Sequence, residues 1–246
     1  FKNILNQYNI VFRETQNFDE LLQADFIVKS PGIPDDQQIV KQLAEKNKQI
    51  ISEVEFAAQF TDSLIIAVTG TNGKTTTTKL IGHILEKAGK KVGVAGNIGN
   101  SFAFEVATNP QSFYVVEVSS FQLDNIKHFK PSIAIITDVT ADHLDRYQDQ
   151  LENYMQAKLK ITQNQDASDY LIYNYDNQLI KSALVDTGTR AQLIPFSTEK
   201  KLEEGVYLID QQINVSIKNN NYIMSTTDFK IKGEHNNKNA MAATAV

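Results

Sequence analysis

The stretch Leu64–Thr75 has the sequence LIIAVTGTNGKT, an apolar run followed by a glycine-rich turn. Its first five residues are apolar and rich in β-branched side chains, which is typical of a buried strand in a parallel sheet. The segment Thr75–Ala88 follows with apolar residues at helical spacing, and Gly89 supplies a stop signal. The sequence therefore predicts a strand, a tight turn and a helix in succession.

The turn GTNGKT, residues 70–75, has the composition of a phosphate-binding loop. Such a loop needs converging backbone N–H groups, glycines that permit a tight turn, and a helix N-terminus that faces the anion. Lys74 is placed to reach the terminal phosphates, and the Thr75 hydroxyl is placed to bind Mg²⁺. The common, longer form would have a glycine where this chain has Val68. A turn that merely favours Gly and Thr is the alternative, but Gly-Lys-Thr at a helix start favours nucleotide binding.

On both sides of this stretch, short apolar runs alternate with helical segments. Further strands are predicted at residues 91–94, 113–118, 132–137, 170–173 and 191–194, the last closed by Pro195, and a helix is predicted at 151–163. This alternation predicts an α/β fold with a doubly wound, mostly parallel sheet. Within residues 206–231, two alternating runs flank Asn219–Asn221 and predict an antiparallel extension of that sheet.

The first 61 residues predict a smaller α/β unit. We expect a strand at residues 25–28, a turn at Ser30–Gly32, and helices at 37–47 and from Ser52 to about Phe60. The second helix is predicted because Ser52–Glu55, with the sequence SEVE, has the form of a capping box. We therefore expect a small unit over residues 1–61 and a larger nucleotide-binding domain over 62–246.

Composition excludes several classes of protein and site. The chain has 246 residues, a net charge of −5 and 24 scattered Lys and Arg residues, so it offers no basic surface for nucleic acid or an anionic membrane. It has no cysteine, which excludes disulfides, thiolate nucleophiles and cysteine-bound metals. No apolar run approaches the roughly 20 residues that a membrane helix needs, and no signal peptide is evident. We expect a cytoplasmic monomer.

Several motifs occur in order along the chain and together resemble the Mur ligases. The loop GTNGKTT, residues 70–76, resembles the ATP loop that this family shares with folylpolyglutamate synthases. The other motifs are AGNIG at 95–99, EVSSFQL at 117–123, DHLDRY at 142–147, AK at 157–158 and GEHNNKN at 233–239. The resemblance runs from Ser30 to the end of the sequence. It implies an ATP-dependent ligase that forms an amide bond through an acyl phosphate. It also implies that residues 1–61 are the remnant of an N-terminal domain that binds a UDP-linked substrate, and that residues 62–246 are the central ATP-binding domain.

Within the family, the motifs are most similar to the branch that adds D-glutamate to UDP-N-acetylmuramoyl-L-alanine in peptidoglycan precursor synthesis. Phe121-Gln122 and Arg146-Tyr147 favour this branch, because the neighbouring MurE branch typically has His-Ala and Tyr-His there. A MurE-type ligase, a folylpolyglutamate-synthase-like ligase and a non-catalytic nucleotide-binding module stay open as alternatives. Because family members have more chain at both ends, we expect this segment alone to be inactive.

The resemblance also implies a metal-binding set. Glu117 ends a predicted strand at the sheet edge where ligands bind, so it is a candidate Mg²⁺ ligand, the alternative being an acid that faces water. His143 is implied as a ligand of a second ion, for which Mn²⁺ suits imidazole better than Mg²⁺ does; a structural histidine is the alternative. Lys158 is implied to be carbamylated by CO₂, which requires a depressed pKa; an ordinary exposed lysine such as Lys160 is the alternative.

Other residues are implied as ligand contacts. The resemblance assigns the ATP loop to Gly70, Thr71, Asn72, Gly73, Lys74, Thr75 and Thr76, with Lys74, Lys158 and His143 as catalytic residues. It assigns the muramoyl-alanine site to Ser30, Gly32, Asn97, Ser119 and Gln122, for which turn or cap chemistry is the alternative. Asn236 and Asn239 share a helix face and are implied as adenine contacts, with capping as the alternative. Asp138 departs from the Asn usual in the family, and it either weakens nucleotide binding or faces solvent.

Overall fold

The computed structural model describes residues 7–15 and 17–246. The strands are β1 (Ile27–Lys29), β2 (Ile50–Ser52), β3 (Leu64–Thr69), β4 (Val92–Gly96), β5 (Phe113–Glu117), β6 (Ile133–Ile136), β7 (Tyr170–Asn174), β8 (Gln192–Ser197), β9 (Gly205–Ile209), β10 (Gln212–Ile217) and β11 (Asn220–Ser225). The helices are α1 (Phe18–Gln23), α2 (Gln38–Glu45), α3 (Glu53–Ala58), α4 (Lys74–Lys87), α5 (Phe102–Thr108), α6 (Ser120–Leu123), α7 (Leu151–Leu159), α8 (Gln178–Thr187) and α9 (Glu234–Thr244), with 3₁₀ turns at Leu144–Tyr147 and Lys160–Thr162. Within the described residues, no helix is long and apolar enough to span a membrane.

The main sheet has nine strands in the order β11-β10-β9-β8-β7-β6-β3-β5-β4. The strands from β4 to β9 pair in parallel, and β9, β10 and β11 pair antiparallel. One face packs against α4 and α9, and the other packs against α5, α7 and α8. The predicted doubly wound α/β fold is therefore confirmed. Because β3, β5 and β6 are neighbours, their carboxyl ends meet at one edge of the sheet.

The first unit consists of the parallel pair β1–β2 with helices α1, α2 and α3. The predicted capping box is half correct. The Ser52 hydroxyl accepts a hydrogen bond from the Glu55 amide at 3.4 Å, so α3 begins where expected. The carboxylate of Glu55 does not return to Ser52 in the described structure, because it has stronger partners in the larger unit.

The Glu55 carboxylate joins the first unit to the central domain. Its side chain is buried, with 0% of the residue exposed. It accepts hydrogen bonds from the backbone amides of Lys127 at 3.0 Å, His128 at 3.0 Å and Phe129 at 2.7 Å. Because these amides belong to the connection between α6 and β6, the carboxylate fixes α3 against the central domain.

Three sequence predictions about element boundaries need correction. Pro195 lies inside β8 rather than closing it, because β9 pairs with β8 only from Phe196 onward and leaves one side of Pro195 without a strand partner. Asn220 and Asn221 lie in β11, and the turn before it is formed by Lys218, with φ 53°, and Asn219. The helix predicted at 151–163 ends at Leu159 and continues as a 3₁₀ turn.

Candidate active site

The loop between β3 and α4 has a shape that only glycine permits at two positions. Gly70 has φ 144° and Gly73 has φ 84°. A Cβ at Gly70 would lie 2.0 Å from the Thr137 hydroxyl, and one at Gly73 would lie 2.2 Å from Asn239 Oδ1. The end of β6 supports the loop, since Thr137 Oγ1 donates to the Asn72 carbonyl at 2.6 Å. The loop ends at the N-terminus of α4, as a phosphate-binding turn requires.

Two polar side chains at the start of α4 face the sheet edge. Lys74 Nζ donates to the Thr71 carbonyl at 2.7 Å, and burial lowers the pKa of its ammonium group. Thr75 Oγ1 donates to Glu117 Oε2 at 2.7 Å, and Asn97 Nδ2 donates to Glu117 Oε1 at 3.0 Å. Glu117 is only 2% exposed, so the alternative of an acid that faces water is wrong.

The pair of Thr75 and Glu117 fits a magnesium ion bound together with nucleotide. No group of three or more His, Cys, Asp or Glu residues in the described part of the chain could hold a metal ion. Mg²⁺ does not need such a cage, because it commonly takes one or two protein oxygens and completes its octahedron with water and phosphate oxygens. A hydroxyl and a carboxylate in contact beside a phosphate loop supply that minimal set.

Lys158 lies in the interior beside the phosphate loop. It is 1% exposed, and its Nζ donates to the Gly70 carbonyl at 2.8 Å. The same nitrogen lies 4.1 Å from the centre of the Tyr154 ring. Burial, and secondarily the positive charge of Lys74, lower the pKa of Lys158 to about 7. The alternative of an ordinary exposed lysine is therefore wrong, while carbamylation stays a prediction.

We expect Lys158→Met to flatten the dependence of stability on pH. Its amine has a pKa of about 7 in the folded chain against the ordinary lysine value of 10.5, so between these values the unfolded chain binds more protons. Stability then rises with pH across that window, by about 1.4 kcal/mol per unit for one proton. Urea unfolding from pH 7 to 9 measures the slope. The control Lys160→Met, at a side chain 40% exposed, should keep the wild-type slope. Equal slopes in wild type and Lys158→Met would contradict the buried amine.

His143 stands on the rim of the same site. It has φ 50°, a left-handed conformation, and its side chain is 56% exposed. Its Nε2 lies 3.6 Å from Asp142 Oδ2, and its ring packs edge-on against Phe121 with centroids 5.3 Å apart. His143, Asp142 and Lys158 all line one pocket, so a second ion beside the nucleotide is compatible with the position of His143. Its role as a metal ligand stays a prediction.

That pocket, about 290 Å³ in volume, extends from the phosphate loop to the first unit. Of the predicted substrate residues, Gly32, Asn97 and Ser119 line it, whereas Ser30 and Gln122 do not. Ser119 and Gln122 form a capping box at the start of α6, with Gln122 Oε1 accepting from the Ser119 amide at 3.0 Å. Cap chemistry, the alternative for these two residues, is thus present.

Six further residues line the pocket without a role assigned from the sequence: Pro31, Ser120, Phe121, Asp142, Arg146 and Tyr154. Phe121 and Arg146 belong to motifs that served only to separate branches of the family. Tyr154 precedes Lys158 by one helical turn, so the spacing of four residues on α7 was a signal that could have placed both on one face.

The two asparagines of α9 do not cap that helix. Its N-cap is Gly233, without a side-chain bond, so the capping alternative is wrong. Asn239 is 6% exposed; its Oδ1 accepts from Thr77 Oγ1 at 3.4 Å, and its Nδ2 donates to Asn236 Oδ1 at 3.3 Å. Asn239 therefore packs against the phosphate loop at Gly73, and its side chain is bonded to that of Asn236. Contact with adenine stays a prediction.

Asp138 does not simply face solvent, and its effect on nucleotide binding stays a prediction. Its carbonyl accepts from the Thr71 amide at 2.6 Å, and its carboxylate accepts from Asn177 Nδ2 at 2.7 Å. Asn177 is the N-cap of α8. Asp138 thus connects the phosphate loop, through its backbone carbonyl, to α8, through its carboxylate.

Comparison with known families agrees with this geometry. The sequence model of the Mur ligase middle domain matches residues 68–246. The chain belongs to the Mur ligase family. Among curated proteins, a UDP-N-acetylmuramoylalanine–D-glutamate ligase of Christiangramia forsetii is 44% identical over 100% of this chain and 56% of its own length. The corresponding ligase of Bacteroides fragilis is 43% identical over 99% of this chain and 55% of its own. This Mur ligase chain spans about half the length of the curated relatives it matches.

Solved Mur ligase structures share the fold. The UDP-N-acetylmuramate:L-alanyl-γ-D-glutamyl-meso-diaminopimelate ligase of Neisseria meningitides superposes with a TM-score of 0.64, at 20% identity, over 99% of this chain and 80% of its own. A MurF ligase of Thermotoga maritima, solved in complex with ADP, has a TM-score of 0.57 at 14% identity, over 91% of this chain and 62% of its own. At these identities the likeness concerns the fold alone.

Proposed function

We propose that the complete protein is an ATP-dependent ligase that joins D-glutamate to UDP-N-acetylmuramoyl-L-alanine. The observation that carries the proposal is that Lys74 and the buried amine of Lys158 line one pocket, beside the Thr75–Glu117 pair, to which Asn97 of the pocket wall is bonded. The relatives at 43–44% identity support the choice of substrates. Residues 62–246 serve as the ATP-binding domain, and residues 1–61 contribute to the binding of the UDP-linked substrate.

The chemistry follows from the charges at the sheet edge. The carboxylate of the muramoyl substrate attacks the γ-phosphate of ATP, ADP leaves, and the amine of D-glutamate then displaces phosphate from the acyl phosphate. Lys74 and the loop amides bind the phosphates and neutralise charge on the transferring group. Thr75 and Glu117 would hold Mg²⁺, and His143 with carbamylated Lys158 a second divalent ion; when bound, such ions withdraw charge from phosphoryl and carboxylate oxygens.

The remaining assignments complete the site. Asn236 and Asn239 contact the adenine from α9, beside α4, where Thr77 is bonded to Asn239. Asn97 and Ser119, which line the pocket, contact the muramoyl-alanine, together with Gly32 from the first unit. Ser30 and Gln122 support these contact residues without lining the pocket. Ser30 closes the turn that contains Gly32, and Gln122 forms a capping box with Ser119. The enzyme works as a monomer in the cytoplasm.

Product formation by the complete protein tests the proposal. Phosphate release should require ATP, UDP-N-acetylmuramoyl-L-alanine and D-glutamate together. Replacement of D-glutamate by meso-diaminopimelate or L-lysine, with the dipeptide substrate that a MurE-type ligase uses, should give no product. A folate with L-glutamate should be equally inert. ATP hydrolysis that ignores both substrates would contradict the ligase and favour a nucleotide-binding module.

A further inference from the structure

Arg146 connects the two units at the end of the pocket that lies away from the phosphate loop. It belongs to the 3₁₀ turn Leu144–Tyr147, and its guanidinium carbon lies 4.1 Å from the centre of the Phe121 ring. Its Nη1 donates to the Pro31 carbonyl at 3.2 Å, and its Nη2 is directed at the Ile33 carbonyl at 3.5 Å. One planar group thus lies over an aromatic face of the central domain and bonds to the backbone of the first unit.

The turn that Arg146 contacts has few other constraints. The Ile33 amide donates to the Ser30 carbonyl at 3.0 Å, which closes the turn. Lys29 Nζ donates to the Ile33 carbonyl at 2.8 Å from within the first unit. Among the described hydrogen bonds, only those of Arg146 join residues 30–33 to the central domain. The position of this wall of the pocket therefore depends on Arg146.

The charge of Arg146 has no acidic partner within 4 Å in the described part of the chain. Carbonyl oxygens and the negative face of the Phe121 ring surround it instead. A guanidinium can stack on a ring while its N–H groups donate within the guanidinium's own plane, whereas a lysine ammonium has no such planar fork. The arrangement uses the shape of arginine rather than its charge alone.

We propose that Arg146 is a positioning residue that holds the turn Ser30–Ile33 against Phe121 and so forms the binding surface for the UDP-linked substrate. The nucleotide loop occupies the opposite end of the pocket, which leaves this end to the second substrate. The identity of that substrate rests on the proposed function. The position of the turn does not, because it is a property of the chain alone.

The kinetic test uses the complete protein with Arg146→Lys and Arg146→Gln. Both variants should raise KM for UDP-N-acetylmuramoyl-L-alanine by about tenfold or more, since each loses the fork. KM for ATP and kcat should stay within about twofold of wild type. The control Asp145→Asn alters an exposed neighbour on the same 3₁₀ turn and should leave all three constants unchanged. Restoration of KM by Arg146→Lys would show that charge alone acts on the substrate, and would overturn the positioning role.

A second test needs no substrate. Hydrogen exchange of the Ile33 amide, measured by NMR, should be several-fold faster in both Arg146 variants than in wild type and in Asp145→Asn. Unchanged exchange would overturn the proposal whatever the kinetics show. If the complete protein has no D-glutamate-dependent activity, the proposed function fails while this measurement still decides whether Arg146 holds the turn.

Discussion

Replacement of Lys74 by alanine is expected to lower substrate-dependent phosphate release in the complete protein by about 100-fold or more. The ammonium group sits at the N-terminus of α4, where the phosphates of ATP would lie, and it now donates to the Thr71 carbonyl at 2.7 Å. Nucleotide should replace that carbonyl as its partner. The variant loses the positive charge that would stabilise the transferring phosphoryl group, and no other lysine of α4 faces the pocket.

The matched control for this variant is Lys79→Ala. Lys79 lies on α4 as well, but it is exposed and does not line the candidate active site. It should keep near wild-type activity, and both variants should show the same thermal unfolding as wild type within a few degrees. Activity of Lys74→Ala above about a tenth of wild type would contradict a direct role in phosphoryl transfer.

Replacement of Glu55 by glutamine is expected to lower the free energy of unfolding by about 3 kcal/mol or more. The buried carboxylate accepts from three consecutive backbone amides, at 2.7–3.0 Å. Glutamine removes the negative charge and can point an NH₂ group at amides that are themselves donors. All three amides donate to Oε2, so a glutamine oxygen in that position leaves Nε2 facing the His128 amide, which is also a donor, and the contact between α3 and the connection before β6 loosens.

Urea unfolding of the chain measures this loss. Glu45→Gln is the matched control, because Glu45 is an exposed acid at the end of the neighbouring helix α2. Its midpoint should differ from wild type by no more than an exposed substitution normally causes, about 0.5 kcal/mol. An unfolding free energy for Glu55→Gln within that same range would show that the three amides have adequate partners without the carboxylate.

Local patterns in the sequence were sufficient for the nucleotide loop. The strand, the glycines and the helix start lie within twelve consecutive residues, Leu64–Thr75, so their geometry depends on neighbours in the chain. The position of Glu117 could also be predicted, because a residue that ends a parallel strand lies at the edge where ligands bind. The first conclusion needed the local glycine pattern, and the second needed only the alternation of strands and helices.

Features that depend on distant contacts could not be predicted. The partners of Glu55 are backbone amides 72 to 74 residues away, and a backbone amide leaves no mark in the side-chain pattern. The burial of Lys158 has the same origin. It lies two positions from the more exposed Lys160, and only the packing of α7 against the phosphate loop separates their environments. Ser119 and Gln122 have the local pattern of a capping box and form one, although the resemblance to the family implied substrate contacts for both.

The proposed ligase activity requires that the amides of residues 70–75 enclose the phosphates of a nucleotide. A crystal structure of the chain grown with Mg²⁺ and a non-hydrolysable ATP analogue tests this directly. The expected density places the β- and γ-phosphates against the loop amides, with Lys74 moved from the Thr71 carbonyl to a phosphate oxygen and the metal between Thr75 and Glu117. A nucleotide bound elsewhere, with the hydrogen bond from Lys74 to Thr71 retained, would contradict the assignment of this site.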